Sequence, residues 1–435
     1  MIGASQYYKY TITQFFTYNT MLNMNGETMT IFNKPQNHQM SSKYRLKYII
    51  LGLLIMLMIG TVYSYSVFRV ALETEFNIST SLSGVPYMVA LASYALFMLI
   101  GGRFIHKTHP RMMMLVGGFL VALGWVLSSF TTNITIFTLT YGLISGAGVG
   151  IVYGVPMAVV ARWFPEKKGL AVGSVLIGFG LSPIITAPLA SILVTQFGVM
   201  NAFLYLGVGF IVLLPILSWP FQYPNGSEMS QDRSQDTSKS LSIHTKDMVK
   251  DRTFKGLYLN FILGTTIGLM LIGLTANVGV EFVGLTPSQV SQWMALFAIF
   301  NGIGRPIFGW LTDKLDSRYS MILSYTMITT ASLILLFWGS ENLIVFITSF
   351  SFFWFNLGGW LAIAPTSTLR LYGLKYYSQN YGVVFTAYGI GAILGVLSSG
   401  LILDLFESYQ FIFIFIIGLC LLGVIMTRHF FRNHR

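Results

Sequence analysis

"GRFIHKTHPR", Gly102 to Arg111, and "GWLTDKLDSR", Gly309 to Arg318, are two versions of one ten-residue pattern. Glycine, lysine and the closing arginine fall at the same spacing, as Gly102, Lys107 and Arg111 in the first copy and Gly309, Lys314 and Arg318 in the second. Pro156 and Pro365 echo one another in the same way. A repeat on the scale of two hundred residues decides architecture before any local motif does. It divides the chain into two equivalent halves, each copy of the pattern following a long apolar block.

Those blocks set the fold class. Of the 435 residues 54% are hydrophobic and only 9% charged, against about 25% charged in soluble domains. Apolar runs of roughly 20 residues are long enough to cross a hydrocarbon core about 30 Å thick as helices. Twelve are read, at 48–70, 85–105, 112–130, 136–160, 169–195, 202–220, 256–280, 289–311, 320–338, 343–369, 380–403 and 410–427. Backbone polar groups in lipid must be satisfied within each segment, and the runs are too long for barrel strands. The expectation is an all-α membrane protein of twelve transmembrane helices in two pseudo-symmetric six-helix bundles, 43–220 and 254–435. The polar stretch 221–253, rich in Ser, Asp, Gln and Asn, reads as a cytoplasmic tether.

The formal charge of +11 is topological. Lysines and arginines gather at the termini, in the even-numbered loops (Lys107, Arg111, Arg162, Lys167, Lys168, Lys314, Arg318, Arg370, Lys375) and in the central segment, whereas the odd-numbered loops hold none beyond Arg69. The positive-inside rule then puts both termini in the cytoplasm, and no nucleic-acid partner is expected. The single cysteine, Cys420, lies in the last block and excludes disulfides and Cys-based metal sites. Residues 1–42 read as a disordered cytoplasmic tail without a signal peptide, with Met40, ahead of the basic flank of block one, as an alternative start. Asn133-Ile134-Thr135 matches a glycosylation sequon on a short outer loop. Catalytic motifs are absent from the reading: the glycine-rich runs lack the lysine and hydroxyl of a phosphate loop, and neither enzyme activity, cofactor nor metal is expected.

Duplicated six-helix halves with a site at the midplane are the architecture of alternating-access transporters. The glycine-basic-arginine loops resemble the signature of the major facilitator superfamily, in which an Asp precedes the basic residue. Asp313 matches that position; His106 stands there in the first copy. Within the superfamily, "YSYSVF" (Tyr63 to Phe68), "ARWFPEKKGLAVG" (Ala161 to Gly173), "NGIGRPIFGWLTDK" (Asn301 to Lys314) and "NYGVVFTAYGIGAILG" (Asn380 to Gly395) resemble the oxalate/formate antiporter family, related to the monocarboxylate transporters. The similarity runs from about residue 43 to the end.

Arg305 leads the candidate site. It lies eight residues before Asp313, about 12 Å inside the helix end at 1.5 Å per residue, and a charge at that depth is a functional hypothesis by default. Its planar fork suits a carboxylate; the competing reading is a structural cation paired with helix carbonyls. The resemblance implies an arginine here and a lysine in block eleven as substrate contacts. The matching Ala387-Tyr388-Gly389 has tyrosine where the family has lysine, and Asn301 stands where monocarboxylate transporters have aspartate. One guanidinium cannot neutralise a dicarboxylate in a low-dielectric cavity. A monoanion is expected, with Tyr388 donating a hydrogen bond or serving only in packing.

Tyr63, Tyr65, Tyr153, Trp354, Trp360 and Phe385 are further candidates for a ring-lined cavity, Tyr63 and Tyr153 foremost. Gly142, Gly146, Gly150 and Gly154 in block four, and Gly391, Gly395 and Ser399 in block eleven, form small faces for close helix packing and, as an added role, gating. The two loop copies are expected to act in conformational change. Arg69 reads as an interfacial residue whose stem reaches headgroups. No histidine falls in a block, and the block-end acids Glu73, Glu75, Glu281, Asp404 and Glu407 leave proton coupling without a central carrier.

Together these readings give a bacterial plasma-membrane transporter, functional as a monomer, moving a small organic anion such as formate, lactate or pyruvate. The alternatives are an oxalate/formate-type exchanger, an efflux carrier for a larger amphipathic compound, and a non-transporting sensor.

Overall fold

The computed structural model describes residues 20–22, 28–30, 42–105, 107–164, 168–224, 243–373 and 376–431. The chain forms two units, residues 1–44 and 45–435. In the first, β1 (Thr20–Leu22) pairs antiparallel with β2 (Thr28–Thr30), Met21 opposite Met29; the remainder of the expected disordered tail, and with it Met40, lies outside the described residues.

Among its described residues the second unit contains twelve helices long and apolar enough to cross a membrane: α1 (Arg45–Phe76), α2 (Thr80–Phe104), α3 (Pro110–Ser128), α4 (Ile134–Trp163), α5 (Ala171–Phe197), α6 (Val199–Ser218), α7 (Arg252–Gly273), α8 (Pro287–Leu315), α9 (Ser317–Trp338), α10 (Leu343–Tyr372), α11 (Gln379–Phe406) and α12 (Tyr409–Phe430). Their starts are written in local chemistry. Thr286 and Gln289 form a reciprocal capping box with Pro287 at the first helical position of α8. The side chains of Ser79, Asn342 and Ser408 accept backbone N–H groups at the starts of α2, α10 and α12. Large apolar side chains such as Phe119, Ile216, Leu405 and Ile425 are exposed on the outer helix faces, a burden that only a lipid surround relieves.

Three helices are irregular where the molecule needs them to be. In α1 a 3-10 segment, Gly60–Ser64, carries Tyr63 into the centre. In α4 the segment Thr138–Ser145 widens to π geometry. After Gly273, α7 breaks at Leu274 and resumes as Thr275–Asn277 and the π turn Val278–Phe282.

Contacts between the halves run along α2 with α11 and along α5 with α8. Gly389 packs on Ala92 and Ala95, Gly400 on Ser81, and Gly302 on Leu181. The glycine stripes singled out from sequence face elsewhere. Gly142, Gly146 and Gly150 take the backbone of α2 at Pro86, Ala90 and Tyr94, while Gly391 and Gly395 take Thr265 and Thr266 of α7. Those contacts are internal to one half, so they consolidate each bundle and do not form the surface between bundles.

The polar stretch joining the halves is docked at both described ends, and residues 225–242 lie outside the described residues. Arg162 stacks 3.8 Å over the Tyr223 ring, and the Tyr223 hydroxyl donates to the Ile105 carbonyl at 2.6 Å. Burial pushes the Tyr223 phenol up against the opposing pull of Arg162, which keeps it a neutral donor. At the other end Asn380 Nδ2 donates to Ile243 O at 3.0 Å and Tyr372 donates to Asp251 at 2.9 Å.

Candidate functional site

Arg305 is 7% exposed, on the face of α8 turned toward α5. Its Nη1 donates to the Leu176 carbonyl of α5, so the guanidinium spans the contact between the halves. Its Nη2 reaches Asn301 Oδ1, one turn back, over 3.4 Å. Asn301 is itself anchored, Nδ2 donating to the Trp354 carbonyl of α10 at 3.0 Å. The Nε of Arg305 is buried and has no hydrogen-bond partner among the described residues. A buried cation that retains an unused donor can take an anion without first surrendering all its protein bonds.

Around it stands a cluster of rings from both halves. Tyr63 of α1 and Tyr388 of α11 are joined hydroxyl to hydroxyl at 3.0 Å. Tyr63 meets Phe179 of α5 edge-on at 5.0 Å and Trp354 at 6.5 Å. Phe385 stacks on Tyr388 at 5.0 Å and on Tyr153 of α4 at 6.0 Å. Tyr94 of α2 lies against Tyr153, Phe385 and Tyr388. Trp354 Nε1 donates to Thr275 Oγ1 at 3.2 Å, in the broken part of α7. The charge of Arg305 acts on both Tyr63 and Tyr153.

Arg305, Asn301, Tyr63, Tyr153, Trp354, Phe385 and Tyr388 are therefore brought together, whereas Trp360 is not. Trp360 packs on Gly264 of α7 and Tyr325 of α9, inside the second bundle. Six positions separate it from Trp354, which at 3.6 residues per turn puts the two rings about 120° apart around α10. Phe179, Gly180 and Tyr94, which the sequence reading passed over, belong to the cluster. Tyr94 had a signal, a hydroxyl-bearing ring within the apolar run of α2; the Leu176 carbonyl had none.

The paired loops lie at the helix ends. Gly102 is exposed with open space beside it, Lys107 is exposed, and Arg111 lies 4.6 Å over the Trp219 ring. In the second copy Gly309 faces Ala362 of α10, Lys314 lies over Trp310, Arg318 lies over Tyr319, and Asp313 is exposed without an ion-pair partner among the described residues. His106 lies outside the described residues.

At the opposite end of the bundle the structure corrects the reading of Arg69. The residue is 1% exposed and reaches no headgroup, because α1 continues to Phe76 and carries it inside the protein. Nε donates to Ser83 Oγ at 2.9 Å, Nη1 to the Gly273 carbonyl at 3.0 Å and Nη2 to the Thr80 carbonyl, with Glu73 3.7 Å away. Asn277 Nδ2 binds Glu73 at 3.2 Å and Glu281 at 3.1 Å, and Tyr409 donates to Glu281 at 2.7 Å. The Arg69–Gly273 and Glu73–Asn277 bonds both cross from one half to the other.

Two six-helix bundles with a buried cation and a ring cluster between them define a membrane transporter. The chain belongs to the Major Facilitator Superfamily, whose family model matches residues 49–283 and 266–435, and it is a multi-pass membrane protein. The oxalate:formate antiporter of Oxalobacter formigenes is 28% identical over 83% of this chain and 86% of that protein. Monocarboxylate transporter 13 of Rattus norvegicus is 26% identical over 86% of each chain, and monocarboxylate transporter 12-B of Danio rerio 25% identical over 81% of this chain and 79% of that one. A bacterial homolog of the human lysosomal transporter Spinster, solved inward-facing and unoccupied, shares the fold with a TM-score of 0.70 at 14% identity, over 91% of this chain and 99% of that one.

The two buried networks generate two predictions. Removing either hydroxyl of the Tyr63–Tyr388 pair strands the other, a loss of about 1–3 kcal/mol; thermal unfolding in detergent will show Tyr63→Phe/Tyr388→Phe costing less than the two single changes added. Arg69→Ala leaves Glu73 without its cation, which for a buried pair costs about 3–5 kcal/mol. Its unfolding midpoint will fall markedly, and Arg69→Ala/Glu73→Gln will recover part of that fall.

Proposed function

We propose that the protein carries a small organic monocarboxylate, of formate, lactate or pyruvate size, across the bacterial cell membrane by alternating access. The observation that carries this reading is Arg305: one buried guanidinium with an unused donor, beside a cluster of rings that includes Tyr63, Tyr153, Trp354, Phe385 and Tyr388, with no second cation paired with it among the described residues. A single negative charge neutralises it, which lowers the cost of closing the two halves around the bound anion. Oxalate would bring a second charge against Tyr388, whose hydroxyl donates one hydrogen bond and no charge. Of the two anions in the name of the Oxalobacter formigenes relative, formate is the one this chemistry favours.

Both halves of the site come from one chain, which supports a working monomer. The charge distribution supports cytoplasmic termini, and so puts the Arg69 network at the outer face. There its cross-half bonds hold the outer ends of α1 and α7 together; they break when that face opens and re-form when it shuts. The paired loops at the cytoplasmic ends of α2 and α8 act at the opposite face, as helix-end turns that move with their bundles.

Uptake of labelled formate, lactate and pyruvate into proteoliposomes tests the assignment. The wild type will accumulate at least one of them, and Arg305→Ala will retain less than about a tenth of that rate, as loss of a charge-assisted anion contact requires. Uptake by the variant at the wild-type rate contradicts it.

A further inference from the structure

The three nitrogens of the Arg305 guanidinium are not equally engaged. Nη1 is held by the Leu176 carbonyl, Nη2 reaches Asn301 Oδ1 over 3.4 Å, the Tyr153 hydroxyl lies against the guanidinium, and Nε is buried with no partner among the described residues. Nε–H and one Nη2–H point in parallel from the same edge of the planar group, and that edge is the one that receives a carboxylate with two hydrogen bonds. What faces the edge is the backbone of α5 at Gly180. A methyl group placed on Gly180 would stand 3.3 Å from both Nε and Nη2 and 2.6 Å from Asn301 Oδ1. Any side chain there would stand equidistant from the two donors, on the line a carboxylate carbon must follow.

Gly302 offers the contrast. It lies in the same contact between α5 and α8, but a methyl group on it would meet the apolar Leu181 side chain, 2.6 Å away. Close helix packing explains a glycine at 302. At 180 the neighbours are the polar atoms of the anion-binding group, and glycine is the residue that lets a backbone approach a ligand closely.

Resting on the reading of Arg305 as the anion site, we propose that Gly180 is a specificity-determining residue that keeps the Nε–Nη2 edge of Arg305 open for one carboxylate bound side-on between α5 and α8. Asn301 flanks the same edge and turns its Oδ1 away from Nη2 as the carboxylate enters. In this structure the Gly180 Cα stands within about 5 Å of both donors, so the carboxylate takes this edge as α5 and α8 move apart, with the rest of the substrate toward the rings.

Transport kinetics in proteoliposomes, with quantities normalised to folded protein by size-exclusion chromatography, test this. Gly180→Ala will raise KM for the transported monocarboxylate about tenfold or more, the loss of a charge-assisted pair of bonds, while Gly302→Ala leaves KM within about twofold and shows its effect only on the unfolding midpoint. An unchanged KM in Gly180→Ala, or an equal rise in both variants, overturns the proposal. Should Gly180→Ala not fold, Arg305→Lys decides. It keeps the charge and lacks the side-on edge, so a tenfold rise in KM supports edge docking and an unchanged KM overturns it. If Arg305→Ala transports like the wild type, the anion-site reading fails as well; if Arg305→Ala is inactive and Gly180→Ala is normal, only the role of Gly180 fails.

Discussion

A guanidinium kept between two helical bundles inside a membrane is the constraint on which the rest of this structure turns. An uncompensated charge in a low-dielectric interior costs several kcal/mol even after relaxation, so every neighbour of Arg305 has to help. The Leu176 carbonyl and Asn301 supply dipoles in place of water, and the charge also acts on Tyr63 and Tyr153. Those groups come from α1, α4, α5 and α8, which ties the position of four helices to one side chain. Because α5 and α8 belong to different halves, the same interactions respond to any relative motion of the bundles.

The two ends of the molecule are built differently. One is closed by a network with a full ion pair, Arg69 and Glu73, held across the halves by Gly273 and Asn277. The centre holds a cation with no acidic partner among the described residues; the side chain one turn before it is the neutral Asn301. This difference separates a network that satisfies its own charges from a cation that keeps an unused donor.

Twelve helices and their duplication were legible because lipid imposes a length and a composition that no other constraint mimics. Arg305 was legible for the same reason: a charge deep in an apolar run is costly enough to stand out. Arg69 carries the same signal, but the apolar run ends at 70 while the helix continues to Phe76 through Glu73 and Glu75, so hydropathy alone puts it at a boundary that the fold does not have. Trp360 was misplaced because a list of aromatics in α10 ignores which face each occupies. The Leu176 carbonyl and the edge facing Gly180 could not be read at all, since a backbone carbonyl has no letter and a glycine reports only that something comes close. The glycine stripes were legible as packing faces, but their partners, α2 and α7, were knowable only in three dimensions.

In the proposed site a single cation beside Tyr388 selects one negative charge over two. Thermal unfolding of the purified protein, titrated with formate, lactate, pyruvate and oxalate in the wild type and in Tyr388→Lys, tests it most directly, since a ligand of the folded state raises the midpoint. A monocarboxylate will stabilise the wild type, oxalate will not, and Tyr388→Lys will gain stabilisation by oxalate. Stabilisation of the wild type by oxalate equal to that by the best monocarboxylate would contradict it.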